Sequence, residues 1–328
     1  MLRLTSIILA IVCSVSMAFA AGGIDDLFPP SSPTPTPPGK PEEGGPSKPK
    51  PTPPPAAPVF PGTCKNMALP SGKTLNYCVH SYQKDQIPQN VIYYFHGLNG
   101  KPSDLALFLD ARSPFYSVIK TVQDRAPIYV ALSFGPRESI PVEPTGDDPA
   151  TLRDLVDVAM PAIENDYIFY GIRPARHLIG MSLGGYNALT VAALRPKVFT
   201  SVMAICPALI DFNPFEQAEV TNYISRGGPW IQTPLVTDMI SAIRTKFKTV
   251  DVWNGRNPMS QMRAGKYRNV NLYLSTGDRD EYGFFEGAEA FAAAAQQAGS
   301  PLVYEPTNGG HCTADLRSFQ SFLSNALK

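Results

Sequence analysis

From about residue 90 onward the chain alternates short apolar runs with longer amphipathic ones. Val91-Ile92-Tyr93-Tyr94-Phe95 is continuously apolar and rich in β-branched and aromatic residues, the pattern of a strand covered on both faces. Similar runs predict strands over 128–134, 177–181, 200–205, 270–275 and 302–305, and His80 falls in a further strand nearer the N-terminus. Between them lie predicted helices. A short one over 104–109 follows the turn signal Pro102-Ser103. Residues 151–165 carry Leu152, Leu155, Val156, Ala159 and Ile163 at helical spacing. Others run over 183–194, stopped by Pro196, over 285–298, ended by Gly299 and Pro301, and over 314–327. This alternation predicts an α/β domain with a mostly parallel central sheet and helices on both faces. In such sheets the loops leaving the C-terminal ends of the strands build the site. Residues 208–268 break the rhythm and read as a partial lid insertion, with Phe212, Phe215, Trp230 and Trp253 over the cleft.

One junction carries chemistry. Gly180-Met181-Ser182-Leu183-Gly184 is a G-x-S-x-G placed between a predicted strand and a predicted helix. A nucleophile elbow needs that context, because the sharp turn strains the serine backbone and admits only small neighbours. Ser182 is therefore the candidate nucleophile.

A serine hydroxyl needs a base, and the base needs an orienting carboxylate. The chain has four histidines. His80 precedes the core of the sheet, His177 starts the nucleophile strand at the wrong end, and His96 precedes Gly97. His311 follows the last strand in Asn308-Gly309-Gly310-His311 and is the only histidine C-terminal to Ser182. It is the candidate base. The acid should leave a strand end between the two. Asp280, in Gly277-Asp278-Arg279-Asp280, is preferred, with Asp278 a close competitor and Asp211 a weaker one. The oxyanion needs two backbone donors. Leu183 N–H, at the start of the helix, is one. Leu98 N–H, in the loop His96-Gly97-Leu98-Asn99-Gly100, is the other, with His96 and Gly97 supporting that loop.

With these residues in place, the chain from 90 to 328 resembles the α/β-hydrolase superfamily. Gly180-Met181-Ser182-Leu183-Gly184-Gly185-Tyr186-Asn187-Ala188-Leu189 is similar to the putative-esterase group of esterase-D-like enzymes, feruloyl esterases and mycolyltransferases. The resemblance implies an α/β-hydrolase fold, a triad of Ser182, Asp280 and His311, and oxyanion donors at Leu98 and Leu183. Leu183 stands where that group often has Met, and Asn187 where a small residue is common. The implied activity is carboxylic ester hydrolysis through an acyl-enzyme. The alternatives are acyl transfer to another alcohol, or a non-catalytic binding module on the same fold.

Composition sets the compartment. Residues 1–20 read as a signal peptide, with Arg3, an apolar centre and an Ala18-Phe19-Ala20 cleavage site; Val12 before Cys13 argues against a lipoprotein. Residues 21–61 hold 15 of the chain's 34 prolines and read as a disordered linker that could contact a surface or partner. Residues 62–328 form the catalytic domain. The chain is expected to be secreted or periplasmic, with no stable membrane span. Its acidic and basic residues balance at 28 each, which leaves no electrostatic footprint for nucleic acid. Cys64 and Cys78 are expected to pair, as are Cys206 and Cys312; two buried free thiols are the alternative to the second bridge. No C-x-x-C spacing points to zinc, and no cofactor or metal is expected. The expected partner is an ester substrate, polymeric or from a cell envelope, whose identity would depend on the insertion aromatics and the loop over 134–149.

Overall fold

A computed structural model describes residues 62–81, 89–110, 113–125, 128–135, 150–167 and 173–328. The readings of 1–20 and 21–61, and nearly all of the loop over 134–149, lie outside the described residues. Among them no helix is long and apolar enough to cross a membrane.

The strands are β1 (Thr63–Ala68), β2 (Thr74–Ser81), β3 (Asn90–Phe95), β4 (Ile128–Ser133), β5 (Ala175–Met181), β6 (Ser201–Ile205), β7 (Asn271–Gly277) and β8 (Leu302–Thr307). They form one sheet in the order β1-β2-β4-β3-β5-β6-β7-β8. β1 and β2 pair antiparallel, as do β2 and β4; every other neighbouring pair is parallel. β3, β4 and β6 are buried at every position, which is why their sequences are uninterrupted apolar runs. β1 reads Thr-Cys-Lys-Asn-Met-Ala and is almost wholly exposed, so it lacks that signal. Its Cys64 lies opposite Cys78 of β2, and the two are disulfide-bonded at a Cα–Cα distance of 4.0 Å. β8 runs two residues past its predicted end, through Pro306. An edge strand tolerates proline because one side of it has no partner to receive an N–H.

The helices are α1 (Leu105–Leu109), α2 (Pro114–Lys120), α3 (Ala150–Arg153), α4 (Met160–Tyr167), α5 (Leu183–Leu194), α6 (Gln217–Arg226), α7 (Thr233–Phe247), α8 (Val250–Asn254), α9 (Pro258–Arg263), α10 (Phe284–Ala298) and α11 (Leu316–Ala326). A π-helical stretch, Asp154–Ala159, joins α3 to α4. The helix predicted over 151–165 is this composite. Its apolar residues are buried as expected, while the Asp154 carboxylate accepts the Ser71 amide at 2.6 Å. Side chains alternate across each inner strand. Val91, Tyr93 and Phe95 pack with Leu155 and Ile163, with Leu189 of α5, Met259 and Met262 of α9, and Phe291 of α10. Ile92 and Tyr94 point the other way, toward Phe108 of α1, Phe115 of α2 and Phe319 of α11.

The insertion over 208–268 is helical. Val220, Tyr223, Val236, Ile240, Phe247 and Trp253 gather into a core of their own with Tyr186 of α5 and Phe284 of α10. Trp253 is 2% exposed and stacks on Tyr186, so it belongs to this core and does not overhang the cleft. Trp230 remains exposed, and Phe212 packs on Tyr223. The last part of the insertion, with Met259, Met262 and Tyr267, joins the main core.

Candidate active site

The turn between β5 and α5 holds Ser182 at φ 53° and ψ −119°, outside the regions that a side chain normally allows. Such a conformation costs on the order of 1–3 kcal/mol and persists only where its surroundings enforce it. Three backbone hydrogen bonds do so here. The Ser182 amide donates to Ile205 O at 2.9 Å, while its carbonyl accepts from Tyr186 at 3.1 Å and from Ala208 at 3.2 Å. The flanking glycines are required by close approach. A Cβ on Gly180 would lie 2.1 Å from Gly184 O, and one on Gly184 would lie 2.0 Å from Phe95 O. The pattern G-x-S-x-G is thus a packing condition on strand, turn and helix together.

His311 leaves the far end of β8 and reaches this serine: its Nε2 lies 2.9 Å from Ser182 Oγ. On the other side, Nδ1 lies 2.7 Å from Asp280 Oδ2. A carboxylate can only accept, so Nδ1 carries the proton and Nε2 is free to accept the serine O–H. Asp280 is fully buried, and its other oxygen accepts the Tyr282 amide at 2.9 Å. The competitors are placed elsewhere. Asp278 Oδ1 accepts the Gly309 amide at 3.0 Å and so shapes the histidine loop without touching the ring. Asp211 Oδ1 is buried without a hydrogen-bond partner. Burial, reinforced by Asp211 and Asp280, raises the pKa of the neighbouring Glu286.

The loop after β3 lies against the serine, with a Cβ on Gly97 reaching 3.6 Å from the Ser182 Cβ. His96 braces this loop. Its Nδ1 donates to Gly97 O at 2.7 Å, and its Nε2 meets Ser133 Oγ at 2.7 Å. Burial lowers the pKa of His96, which favours the neutral ring that these partners require. Leu98 is exposed, and Leu183 is the first residue of α5. Among the described residues, no backbone acceptor outside the regular helices and strands takes either amide. An unengaged N–H at a helix start is the ordinary consequence of helix geometry and attracts negative charge.

Two supports were not legible in the sequence. Glu281 Oε2 accepts the His311 amide at 2.9 Å, while its own carbonyl accepts the Gln232 amide at 2.9 Å, ahead of α7. The rings of Tyr282 and Phe284 stand 4.8 and 5.7 Å from the imidazole. Both depend on how the turn after Asp280 folds, for which the sequence offers no periodic signal. The Cys206–Cys312 bridge is formed, with a Cα–Cα distance of 4.7 Å.

A family model described as "Putative esterase" matches residues 72–327, starting earlier than the resemblance from residue 90 onward. Comparison with curated proteins finds no match. Among solved structures, the chain is similar to a ferulic acid esterase, with 17% identity over 81% of this chain and 96% of that one and a TM-score of 0.55. It is also similar to an S-formylglutathione hydrolase from Agrobacterium tumefaciens, with 14% identity over 82% and 96% of the two chains and a TM-score of 0.55. EstE1, a thermophilic carboxylesterase from a metagenomic library, matches with 15% identity over 83% and 90% and a TM-score of 0.57. Identities this low speak to the fold. The family match spans the β2-to-α11 domain that carries the elbow, and the chain therefore belongs to the putative esterase family, a carboxylic ester hydrolase of the α/β-hydrolase fold.

Proposed function

We propose that the chain is an exported serine esterase working through Ser182, His311 and Asp280. The observation that carries this reading is the unbroken line of hydrogen bonds from the buried Asp280 carboxylate, through His311, to the Ser182 hydroxyl, at 2.7 and 2.9 Å. Ser182 Oγ attacks the ester carbonyl as its proton passes to His311 Nε2. The carbonyl π electrons move onto oxygen, and Asp280 stabilises the imidazolium. The amides of Leu98 and Leu183 receive the oxyanion, aided by the N-terminus of α5. Collapse of the tetrahedral species breaks the bond to the alcohol, which leaves with the proton from Nε2. Water, deprotonated by the same nitrogen, then releases the acid and restores Ser182.

Export is supported by the sequence over 1–20 and by two disulfides, which persist in oxidising compartments. An exported esterase meets esters of polymers or of a cell envelope more readily than cytosolic metabolites, and that is the substrate class proposed. The Pro-rich 21–61 would then hold the domain away from a surface or partner. The test is hydrolysis of short p-nitrophenyl esters. Ser182→Ala should lower kcat by at least about 10⁴-fold with the fold intact. Unchanged turnover in that variant contradicts the mechanism.

A further inference from the structure

Cys206 and Cys312 stand on the two sides of the proposed catalytic pair. Cys206 directly follows β6 and is fully buried; its amide donates to Ser275 O at 2.6 Å. The preceding carbonyl, that of Ile205, holds the Ser182 amide. Cys312 directly follows His311 and is only partly buried. Their bridge spans 106 residues of sequence and ties the backbone beneath the nucleophile to the loop that carries the base. That loop runs through Gly309 and Gly310, and Asp278 and Glu281 hold it at the Gly309 and His311 amides. Both cysteines hold a left-handed backbone, φ 45° and 63°, which a non-glycine residue adopts only under constraint.

The same three residues have a second chemistry. Ligand atoms of Cys206, His311 and Cys312 all lie within 4.8 Å of one another. Two sulfurs and an imidazole are a donor set that zinc takes in tetrahedral sites, with bonds of about 2.3 Å to sulfur and about 2.0 Å to nitrogen. Those bonds put the two sulfurs about 3.8 Å apart and each about 3.5 Å from the nitrogen, so once the bridge is open the sulfurs part by roughly 2 Å while the imidazole closes in by roughly 1 Å. While the disulfide is intact, the sulfurs are committed to each other.

We propose that the Cys206–Cys312 bridge is a redox-gated positioning element: closed, it fixes His311 over Ser182; opened by a thiol reductant, it frees Cys206 and Cys312 to form with His311 a Zn²⁺ site that withdraws the base. Opening balances simply. Two reductant thiols become one reductant disulfide, their two electrons break the Cys206–Cys312 bond, and two protons settle on the freed sulfurs. On binding Zn²⁺, the two thiols release their protons to solvent and one imidazole nitrogen donates its lone pair. The fourth zinc position is left to water. The inhibitory part rests on the proposed role of His311; the binding part does not.

The experiment uses the full chain with C13S, C64S and C78S, so that Cys206 and Cys312 are the only cysteines left to respond. It is reduced with dithiothreitol, its thiols are counted, and it is desalted under nitrogen. With a chelator present, the reduced enzyme should lose about tenfold or more in kcat with KM little changed, since a displaced base costs turnover and not binding. Micromolar Zn²⁺ should lower the remaining activity at least about tenfold, reversibly with chelator, while Mg²⁺, which prefers oxygen ligands, does nothing. The oxidised enzyme and the C206S/C312S variant should not respond. If the reduced protein loses its fold, C206S, whose Cys312 is free without reductant, should be inhibited more than the double variant. Binding is read separately by adding Co²⁺ to reduced Ser182→Ala, where thiolate-to-cobalt charge-transfer absorption should appear. Equal inhibition of oxidised enzyme, no greater inhibition of C206S than of the double variant, or a cobalt spectrum without thiolate character overturns the proposal. Turnover retained by Ser182→Ala would instead remove the triad reading, leaving the cobalt spectrum to decide the metal site.

Discussion

At the entry end of β5, His177 is fully buried; its Nε2 donates to Asn90 Oδ1 at 3.0 Å, and its Nδ1 faces Ser201 Oγ at 2.7 Å. At the exit end, His311 is 21% exposed in its side chain, with a carboxylate on one nitrogen and a hydroxyl on the other. Burial among neutral partners pushes the pKa of His177 down to about 4, so that it stays neutral and bonds two strands together. His311 has a buried carboxylate on one nitrogen and leaves part of its ring open to solvent. The neighbourhood differs in the same sense. Beside His177, Arg176 forks onto Glu164 at 2.6 and 2.8 Å, and Tyr93 donates to the same carboxylate, so the buried charges are paired. Beside His311 lies the strained Ser182. One residue type is locked among neutral partners at one end of the sheet and set between a carboxylate and a hydroxyl at the other.

The comparison breaks most sharply at Asp280. In Asp280→Asn the amide can still accept the Tyr282 N–H, but it presents N–H to His311 and favours the wrong tautomer. We expect kcat to fall by about 10⁴-fold with little change in melting temperature. A loss of stability without a loss of kcat would make Asp280 structural, like the groups at the entry end. His177 should show the converse. Its folded pKa of about 4 lies below the ordinary 6.5, so as pH falls between those values the unfolded chain takes up the proton first and stability declines. Above pH 6.5 this contribution is flat. The full loss is on the order of 3 kcal/mol. Denaturant titrations from pH 7 to pH 4 should show a shallower decline in His177→Gln than in the unmodified chain, and equal slopes would contradict the assignment.

The inner sheet was legible because burial on both faces writes an uninterrupted apolar run, and α5 was legible to the residue because the elbow and Pro196 mark its ends. The candidate site was legible where chemistry limits the choice, with four histidines and one serine elbow. The acid was less so. Asp278 and Asp280 are two residues apart in one turn, and only the fold shows that one shapes the loop while the other meets the ring. β1 is polar and exposed, α2 is short, and the helices of the insertion pack on a small core of their own, so none of these carries a strong period. Trp253 looked like a cleft residue because aromatic content alone does not say which way a side chain faces.

The most direct test of the central claim is labelling by a fluorophosphonate, with the modified residue identified by mass spectrometry. An activated serine should give a single adduct on Ser182, fast in the unmodified chain and slowed by orders of magnitude in His311→Ala. No adduct on Ser182, or labelling that proceeds equally well without His311, would contradict the account.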